Sequence, residues 1–339
     1  MPELLLEIQT EEIPARMQTR AAEDLLRLAR EKFAAAGLDA SMAQSYVTPR
    51  RLTLTIDDLP ATQANTEEER RGPRVGSPQA AIDGFLKSAG VTLAQCEQRD
   101  TGKGVFYFAV IRKTGGTTAA ILPGVLRAVL LDLPWPKSMR FPAATFRWVR
   151  PIGGVLSLFD GKVVPLDLGG IAIGNLSQGH RFLSSGLFAV SGIADYRRRL
   201  RDGHVVLDAT DRAKAISLAL YERAAERQLT VKDDPGLLEE VTGLVEWPVV
   251  MMGTIDPAFM DLPPEVLTTS MRTHQKYFSC LDRDGRLAPH FLLVANNIAD
   301  DGGKEIVAGN ERVLRARLAD ARFFWDSDRK IKLESRLPK

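Results

Sequence analysis

The chain has 339 residues, of which 45% are hydrophobic, enough apolar material for more than one compact core. Lys and Arg total 45 and Asp and Glu total 43, so the formal net charge is only +2. This balance excludes a globally basic nucleic-acid-binding protein, and any contact with nucleic acid must use a local basic patch. We therefore expect at least two domains.

The cysteines and the N-terminal residues bear on the compartment. Cys96 and Cys280 are far apart and match no metal-ligand spacing, which is typical of a reduced cytosolic protein; a disulfide is the weaker interpretation. The N-terminal sequence MPELLLEIQTEE reaches acidic residues too early for a signal peptide, and no apolar run is long enough to cross a bilayer. We expect a cytoplasmic protein with no membrane partner.

Residues 1–135 predict an N-terminal α/β region. Residues 4–8 read as a buried strand, Pro14 as a first helical position, and residues 15–36 as a long amphipathic helix. The alternating sequence RLTLTI at 51–56 predicts a half-buried strand. The charged stretch 63–77 predicts an exposed loop or linker, and Ser77 a cap for a short helix that ends at Lys87. A strand at 104–112 and a helix at 117–131 complete this region.

Residues 136–339 predict an α+β region of short strands joined by turns. Asp160-Gly161 and Asp284-Gly285 each lie between apolar runs, which is a strong hairpin signal. Helices are predicted at 193–201, 212–226, 236–244 and 305–325. The predicted fold class is therefore a multi-domain α+β protein with mixed or antiparallel sheets and packed helices.

No familiar catalytic motif is present. The sequence has no Walker loop, no Gly-x-Gly-x-x-Gly after a strand, no His-Glu-x-x-His and no Cys-x-x-Cys pair. We assign no catalytic residue and no metal ligand from the sequence.

The first of three basic clusters alternates cationic with large apolar residues. Lys137 and Arg140 precede Arg147, Trp148 and Arg150. Guanidinium groups bind phosphate and aromatic faces accept unpaired bases, so this alternation suits contact with RNA. A strand with one solvated face is an equally good interpretation.

The second cluster is Arg272, Thr273, His274 and Lys276, ahead of a predicted hairpin. His274 is a conceivable general base, although a histidine without a neighbouring carboxylate or serine is more often structural. The third cluster follows Asn310, which we predict to cap a helix flanked by basic residues. An ordinary amphipathic helix with salt-bridged edges is the alternative. The basic residues of this third cluster are Arg312, Arg315, Arg317 and Arg322.

Several ordered segments resemble the β subunit of bacterial heterotetrameric glycyl-tRNA synthetases. The segments are LLLEIQTEEIPAR at 4–16, TPRRLTLTI at 48–56, PKSMRF at 136–141, GHRF at 179–182, EVTGLVEWPVV at 240–250, PPEVLTTSMRTHQKYF at 263–278 and GNERVLRARLADARFFWDSD at 309–328. The last three are long and highly specific, and the resemblance covers essentially the whole chain.

The resemblance implies a division of labour in an α2β2 tetramer. The α subunit of the family makes glycyl-adenylate from glycine and ATP, and the β subunit is needed for tRNA binding and transfer. The resemblance also implies that residues 136–339 are similar to the B3/B4 region of the phenylalanyl-tRNA synthetase β subunit. It implies HD-type and anticodon-binding domains beyond the region present here, and no cofactor within it.

Three hypotheses follow from the resemblance together with the clusters. The leading one is a module that binds glycine tRNA and docks to the α subunit. Its tRNA-binding candidates are Lys137, Arg140, Arg147, Arg150, Arg272, His274, Lys276, Arg312 and Arg315. The second is hydrolytic editing of mischarged tRNA by His274, Thr273 and Arg272, and the third is a structural scaffold with an aromatic interface at Phe323, Phe324 and Trp325.

Overall fold

A computed structural model describes residues 2–140, 147–330 and 332–336 of the chain. Within these residues the helices are α1 (Ala15–Ala35), α2 (Gln79–Ala89), α3 (Thr118–Asp132), α4 (Ile193–Asp202), α5 (Ala209–Ala225), α6 (Pro235–Thr242), α7 (Pro264–Thr269) and α8 (Lys304–Arg329). The strands are β1 (Leu4–Thr10), β2 (Ala43–Thr48), β3 (Arg51–Ile56), β4 (Thr66–Arg74), β5 (Cys96–Asp100), β6 (Val105–Lys113), β7 (Met139–Arg140), β8 (Arg147–Trp148), β9 (Ile152–Phe159), β10 (Lys162–Val163), β11 (Ile173–Gly174), β12 (Leu176–Gln178), β13 (Leu187–Ala189), β14 (Thr230–Val231), β15 (Val249–Thr254), β16 (Phe278–Leu281) and β17 (Leu287–Ala295).

The N-terminal body is a three-layer α+β arrangement. Its sheet has the order β10-β9-β1-β3-β2, with β11 added to β9 in parallel. Side chains alternate along a strand, so Leu4, Leu6 and Ile8 of β1 face α1 and α3, whereas Leu5 packs with α4. The sheet takes strands from both sides of position 135, where the sequence predicted a domain boundary. The division into domains itself stays a prediction.

The C-terminal body is a second three-layer arrangement. Its four strands have the order β14-β16-β17-β15. Val250 of β15 joins the apolar side chains of α5 and α6, whereas Met251 packs with α8 on the opposite face. A π-helical turn, Ser270–Gln275, continues α7 and leads into β16. The two predicted hairpins are confirmed, because β9 pairs with β10 and β16 with β17 in antiparallel register.

A small three-stranded sheet, β4-β6-β5, carries α2 and corrects one prediction. Residues 63–77 were predicted as a loop, but β4 runs through them from Thr66 to Arg74. Glu69 of this strand pairs with Arg99 at 2.6 Å, and Arg71 lies 3.8 Å from the centre of the Phe106 ring. Some of the charges that suggested a loop are therefore in contact with side chains of the other two strands, and β4 itself has no apolar alternation to detect.

Three finer predictions are also wrong. The strand 51–56 was expected to be half-buried, but all six residues are buried, because α4 covers the threonine face that the sequence left to solvent. Ser77 does not cap α2, which begins after Pro78 without a side-chain cap. Asn310 is not a helix cap either, since it lies inside α8.

Candidate functional site

Two short strands present the first basic cluster on the surface. β7 and β8 pair in antiparallel register, which places Arg140 directly opposite Arg147. Both arginines are exposed, as are Lys137 and Arg150 on either side. We call these four side chains the basic hairpin patch. Trp148 points the other way, fully buried, and packs edge-on against Trp135 with ring centres 5.1 Å apart.

The charge of the basic hairpin patch is not neutralised within the described part of the chain. Arg147 donates from Nε to Ser138 Oγ at 2.9 Å and from Nη2 to the Ser138 carbonyl at 3.2 Å, which are both uncharged acceptors. No described carboxylate forms a salt bridge with the patch. Like charges directly opposite on a strand pair repel one another, so an anion bound between them stabilises the pair. The expectation of base stacking is wrong for Trp148, because its ring lies in the core.

The second cluster differs from the first because its cations are already paired. Arg272 Nε lies 2.5 Å from Asp234 Oδ2, and Lys276 Nζ lies 2.9 Å from Glu240 Oε2. The hydrogen bond from Arg272 lowers the pKa of the Asp234 carboxyl. Both pairs join the π-helical turn to α6 and the residues before it. Because these cations are paired with carboxylates, they are less available to bind phosphate than the cations of the basic hairpin patch.

A cavity of about 290 Å³ lies beside the π-helical turn. Arg272, Thr273 and Tyr277 are in its wall, but His274 is exposed and is not in it. A general base must lie within hydrogen-bond reach of the proton that it removes. Thr273 therefore lines the cavity and His274 does not, although the editing hypothesis requires both residues at one site.

The third cluster packs against the second through α8. Asn310 accepts a hydrogen bond from the Tyr277 hydroxyl and donates from Nδ2 to the Ile306 carbonyl at 2.7 Å. Arg315 Nη2 lies 3.2 Å from Asp256 Oδ2, whereas Arg312 is exposed and forms no salt bridge with a described carboxylate. The second and third clusters are thus in contact through Tyr277 and Asn310, and among the arginines of the third cluster Arg312 and Arg317 form no salt bridge with a described carboxylate.

Sequence reasoning missed a buried cluster of charged groups. Arg51 Nε lies 2.9 Å from Glu246 Oε1, and Arg51 Nη1 lies 3.4 Å from Glu7 Oε2. All three residues are at most 2% exposed. Tyr196 and Ser177 donate to Glu7, the latter at 2.8 Å. The available signal was a single charge within each of the apolar runs LLLEI and GLVEWPVV.

This buried charge cluster, Glu7, Arg51 and Glu246, joins the two bodies. Glu7 and Arg51 belong to β1 and β3 of the N-terminal sheet, and Glu246 precedes β15 of the C-terminal sheet. Burial alone would raise the pKa of Glu246, but the charge of Arg51 and the Thr48 hydroxyl, which donates at 2.6 Å, outweigh burial and lower it. A closed site with no solvent face holds structure together and does not receive a substrate.

The described residues contain no group of three or more His, Cys, Asp or Glu side chains arranged to hold a metal ion. None of their helices is long and apolar enough to span a membrane.

Known proteins match the chain along its whole length. The family model described as "Glycyl-tRNA synthetase beta subunit" matches residues 4–339. A protein of Rhodospirillum centenum is 53% identical over 365 residues, which cover 99% of this chain and 51% of that protein. One of Phenylobacterium zucineum is 53% identical over 341 residues, or 100% of this chain and 50% of that protein. One of Ruegeria is 49% identical over 336 residues, or 98% of this chain and 49% of that protein.

All three relatives are named glycine–tRNA ligase beta subunit. The chain spans about half the length of these curated relatives. The segments that hold the buried charge cluster, 4–16, 48–56 and 240–250, all lie within the region that the family model matches. The chain therefore belongs to the glycyl-tRNA synthetase β-subunit family.

Proposed function

We propose that this chain supports the attachment of glycine to tRNA as part of a two-subunit ligase, by contacting the tRNA backbone and by docking to the catalytic α subunit. In this proposal the α subunit binds ATP and glycine, the assembly is α2β2 and cytoplasmic, and the chain itself supplies no catalytic group or cofactor. Membership of the β-subunit family supports the proposal at the level of the whole enzyme.

The basic hairpin patch carries the RNA-binding part of this proposal. Arg140 and Arg147 are opposed, exposed and bonded to no described carboxylate, while Trp148 fixes the strand pair to the core. Phosphates of RNA provide the anion that relieves the repulsion between the two arginines. The paired cations Arg272, Lys276 and Arg315 are weaker candidates, because a phosphate must compete there with a carboxylate that is already bound.

The end of α8 supports the docking part. Phe323 and Phe324 are 67% and 63% exposed, and Trp325 follows them at 37%. A group of large exposed aromatic side chains is typical of a surface that another protein covers. We assign the docking of the α subunit to this end of α8. The alternative is a purely structural scaffold, which would dock to the α subunit without contacting tRNA.

Binding of labelled glycine tRNA across a salt series tests the RNA-binding part. The double variant Arg140→Glu/Arg147→Glu should weaken binding and flatten the dependence on salt, because each neutralised phosphate contributes about 0.7–0.9 to the slope. Arg272→Glu/Lys276→Glu is the matched comparison with the same change of charge. Equal loss from both pairs, or no loss from the first, contradicts the assignment to the basic hairpin patch.

Capture of the α subunit tests the docking part. Phe323→Ser/Phe324→Ser should reduce capture without affecting tRNA binding by the chain, and unaltered capture contradicts the assignment to α8. Hydrolytic editing is the competing function for the surface near Thr273 and His274. Release of amino acid from alanyl- or seryl-tRNA of the glycine type, abolished by His274→Ala, would replace our proposal for that surface.

A further inference from the structure

A recess next to α4 gathers arginines that no sequence motif had singled out. It has a volume of about 500 Å³, and Arg197, Arg198 and Arg201 of α4 form one wall. α4 buries Ile193, Tyr196 and Leu200 against the N-terminal sheet, so the helical period turns the arginines of YRRRLRD outward. The rest of the lining is Tyr46 of the edge strand β2, the apolar residues 205–207, Asp208, which caps α5, and Asp211 in the first turn of α5.

The arginines on α4 differ in how their charge is balanced. Arg198 lies 2.5 Å from Asp195 and 3.2 Å from Asp202, and Arg199 lies 3.1 Å from Asp195. Arg197 instead bonds two uncharged oxygens, the Tyr46 hydroxyl at 2.6 Å and Gln44 Oε1 at 3.3 Å. Arg201 is exposed and has no salt bridge to a carboxylate in the described residues. Arg197 and Arg201, one helical turn apart, therefore form no salt bridge with a described carboxylate, and like charges at this spacing destabilise a helix unless an anion binds.

Hydrogen bonds and a ring contact hold Arg197 against β2. Its guanidinium group lies 5.4 Å from the centre of the Tyr46 ring and is bonded to two side chains of β2. A guanidinium group has five donors in a planar fork, so these two bonds leave donors for an incoming phosphate. Less conformational entropy is lost on binding when the side chain is already ordered.

The opposite wall of the recess carries carboxylates, so the ligand must offer hydroxyl groups as well as an anionic group. Asp208 caps α5 by accepting from the Thr210 amide at 2.7 Å, and Asp211 lies in the first turn of that helix. A carboxylate repels phosphate but accepts hydrogen bonds from hydroxyl groups. A ligand with an anionic group for Arg197 and Arg201 and hydroxyl groups for Asp211 fits both walls, and a ribonucleotide within RNA has both.

We propose that this recess binds one phosphodiester of a single-stranded RNA segment, with the phosphate on Arg197 and Arg201 and the ribose 2′-hydroxyl on Asp211. The proposal rests on the proposed function, since it gives the tRNA a second contact, separate from the basic hairpin patch. The 2′-hydroxyl is the group by which a protein distinguishes RNA from DNA at one position. The recess therefore contributes a preference for RNA as well as affinity.

Binding of a labelled single-stranded oligoribonucleotide and of the DNA of the same sequence, each across a salt series, tests the proposal. Arg197→Ala/Arg201→Ala should weaken RNA binding about tenfold and flatten the salt slope by about 1.4, for two contacts of about 0.7 each on a single strand. The matched control is Arg27→Ala/Arg223→Ala, which removes two exposed helical arginines that are paired with carboxylates. This control should leave the affinity within about twofold.

The sugar contact has its own readout. Asp211→Ala should reduce the preference for RNA over DNA without weakening the phosphate contact, because it removes the oxygen that accepts the hydrogen bond from the 2′-hydroxyl. Equal losses of RNA affinity in the two double-arginine variants would overturn the proposal. Displacement of the RNA by low concentrations of adenosine monophosphate would also overturn it, in favour of a site for a small nucleotide. If Arg140→Glu/Arg147→Glu leaves tRNA binding unchanged, the proposed function of the basic hairpin patch is rejected, but the proposal for the recess is not.

Discussion

The buried charge cluster predicts that Arg51 is among the most important single residues for the stability of this protein. Arg51 bonds Glu246 at 2.9 Å, Glu7 at 3.4 Å and the Gln178 carbonyl at 2.9 Å. Arg51→Met keeps much of the side-chain volume but leaves two carboxylates that are at most 1% exposed. Removal of one partner from a buried ion pair costs about 3–5 kcal/mol, because the remaining charge is uncompensated. We expect a loss in that range in the free energy of unfolding.

The pH dependence of this loss has a defined sign. In the unaltered protein the pKa of Glu246 is lowered, so its contribution is complete above the unfolded-state value of about 4.3 and is lost as the pH falls through the folded value. In Arg51→Met the Thr48 hydroxyl still donates to Glu246, but the positive charge that offset burial is gone, and burial raises the pKa of a carboxyl group. Stability is then lost as the pH rises from the unfolded to the raised folded value. The deficit of the variant should therefore be larger at about pH 8 than at about pH 5.

Urea unfolding at both pH values measures the effect, and the neighbouring residue supplies the control. Arg50 is half-buried and makes ion pairs to two solvent-accessible carboxylates, those of Glu11 and Glu12, at 3.2 and 3.1 Å. Arg50→Met should lower the free energy of unfolding by about 0–1 kcal/mol, as is typical of surface pairs. A loss below about 1 kcal/mol for Arg51→Met, or the same loss at both pH values, would refute the reasoning.

Three further predictions concern packing and reactivity. Trp148→Ala should lower the free energy of unfolding by about 3–5 kcal/mol in urea, since the ring is fully buried. Gly243→Ala should reduce the melting temperature, because a Cβ there would lie 2.9 Å from the Ala15 Cα of α1, a backbone contact that cannot yield cheaply; an unchanged melting temperature contradicts this. Thiol alkylation near neutral pH should modify Cys96 first and Cys280 only after denaturation, since burial raises the Cys280 pKa to about 11; mass spectrometry of the labelled chain decides.

The sequence determined most of the regular elements of this protein. β1, α1, β3, α3 and the hairpin turns at Asp160-Gly161 and Asp284-Gly285 follow from period and turn chemistry, which act over a few neighbouring residues. The family also followed from the sequence, because long ordered segments carry it. β4 was missed because an exposed, charged strand has no apolar alternation and is defined only by its partner β6.

Tertiary structure decided which charges are free and which are committed. Nothing local distinguishes Arg50 from Arg51, yet one lies at the surface and the other is enclosed with carboxylates 44 and 195 positions away. Likewise, Arg272 and Arg140 read alike in sequence, but Asp234 neutralises the first. Burial and ion pairing depend on residues that are distant in the chain, so a sequence pattern can nominate a cation, and only the fold can show what that cation is able to bind.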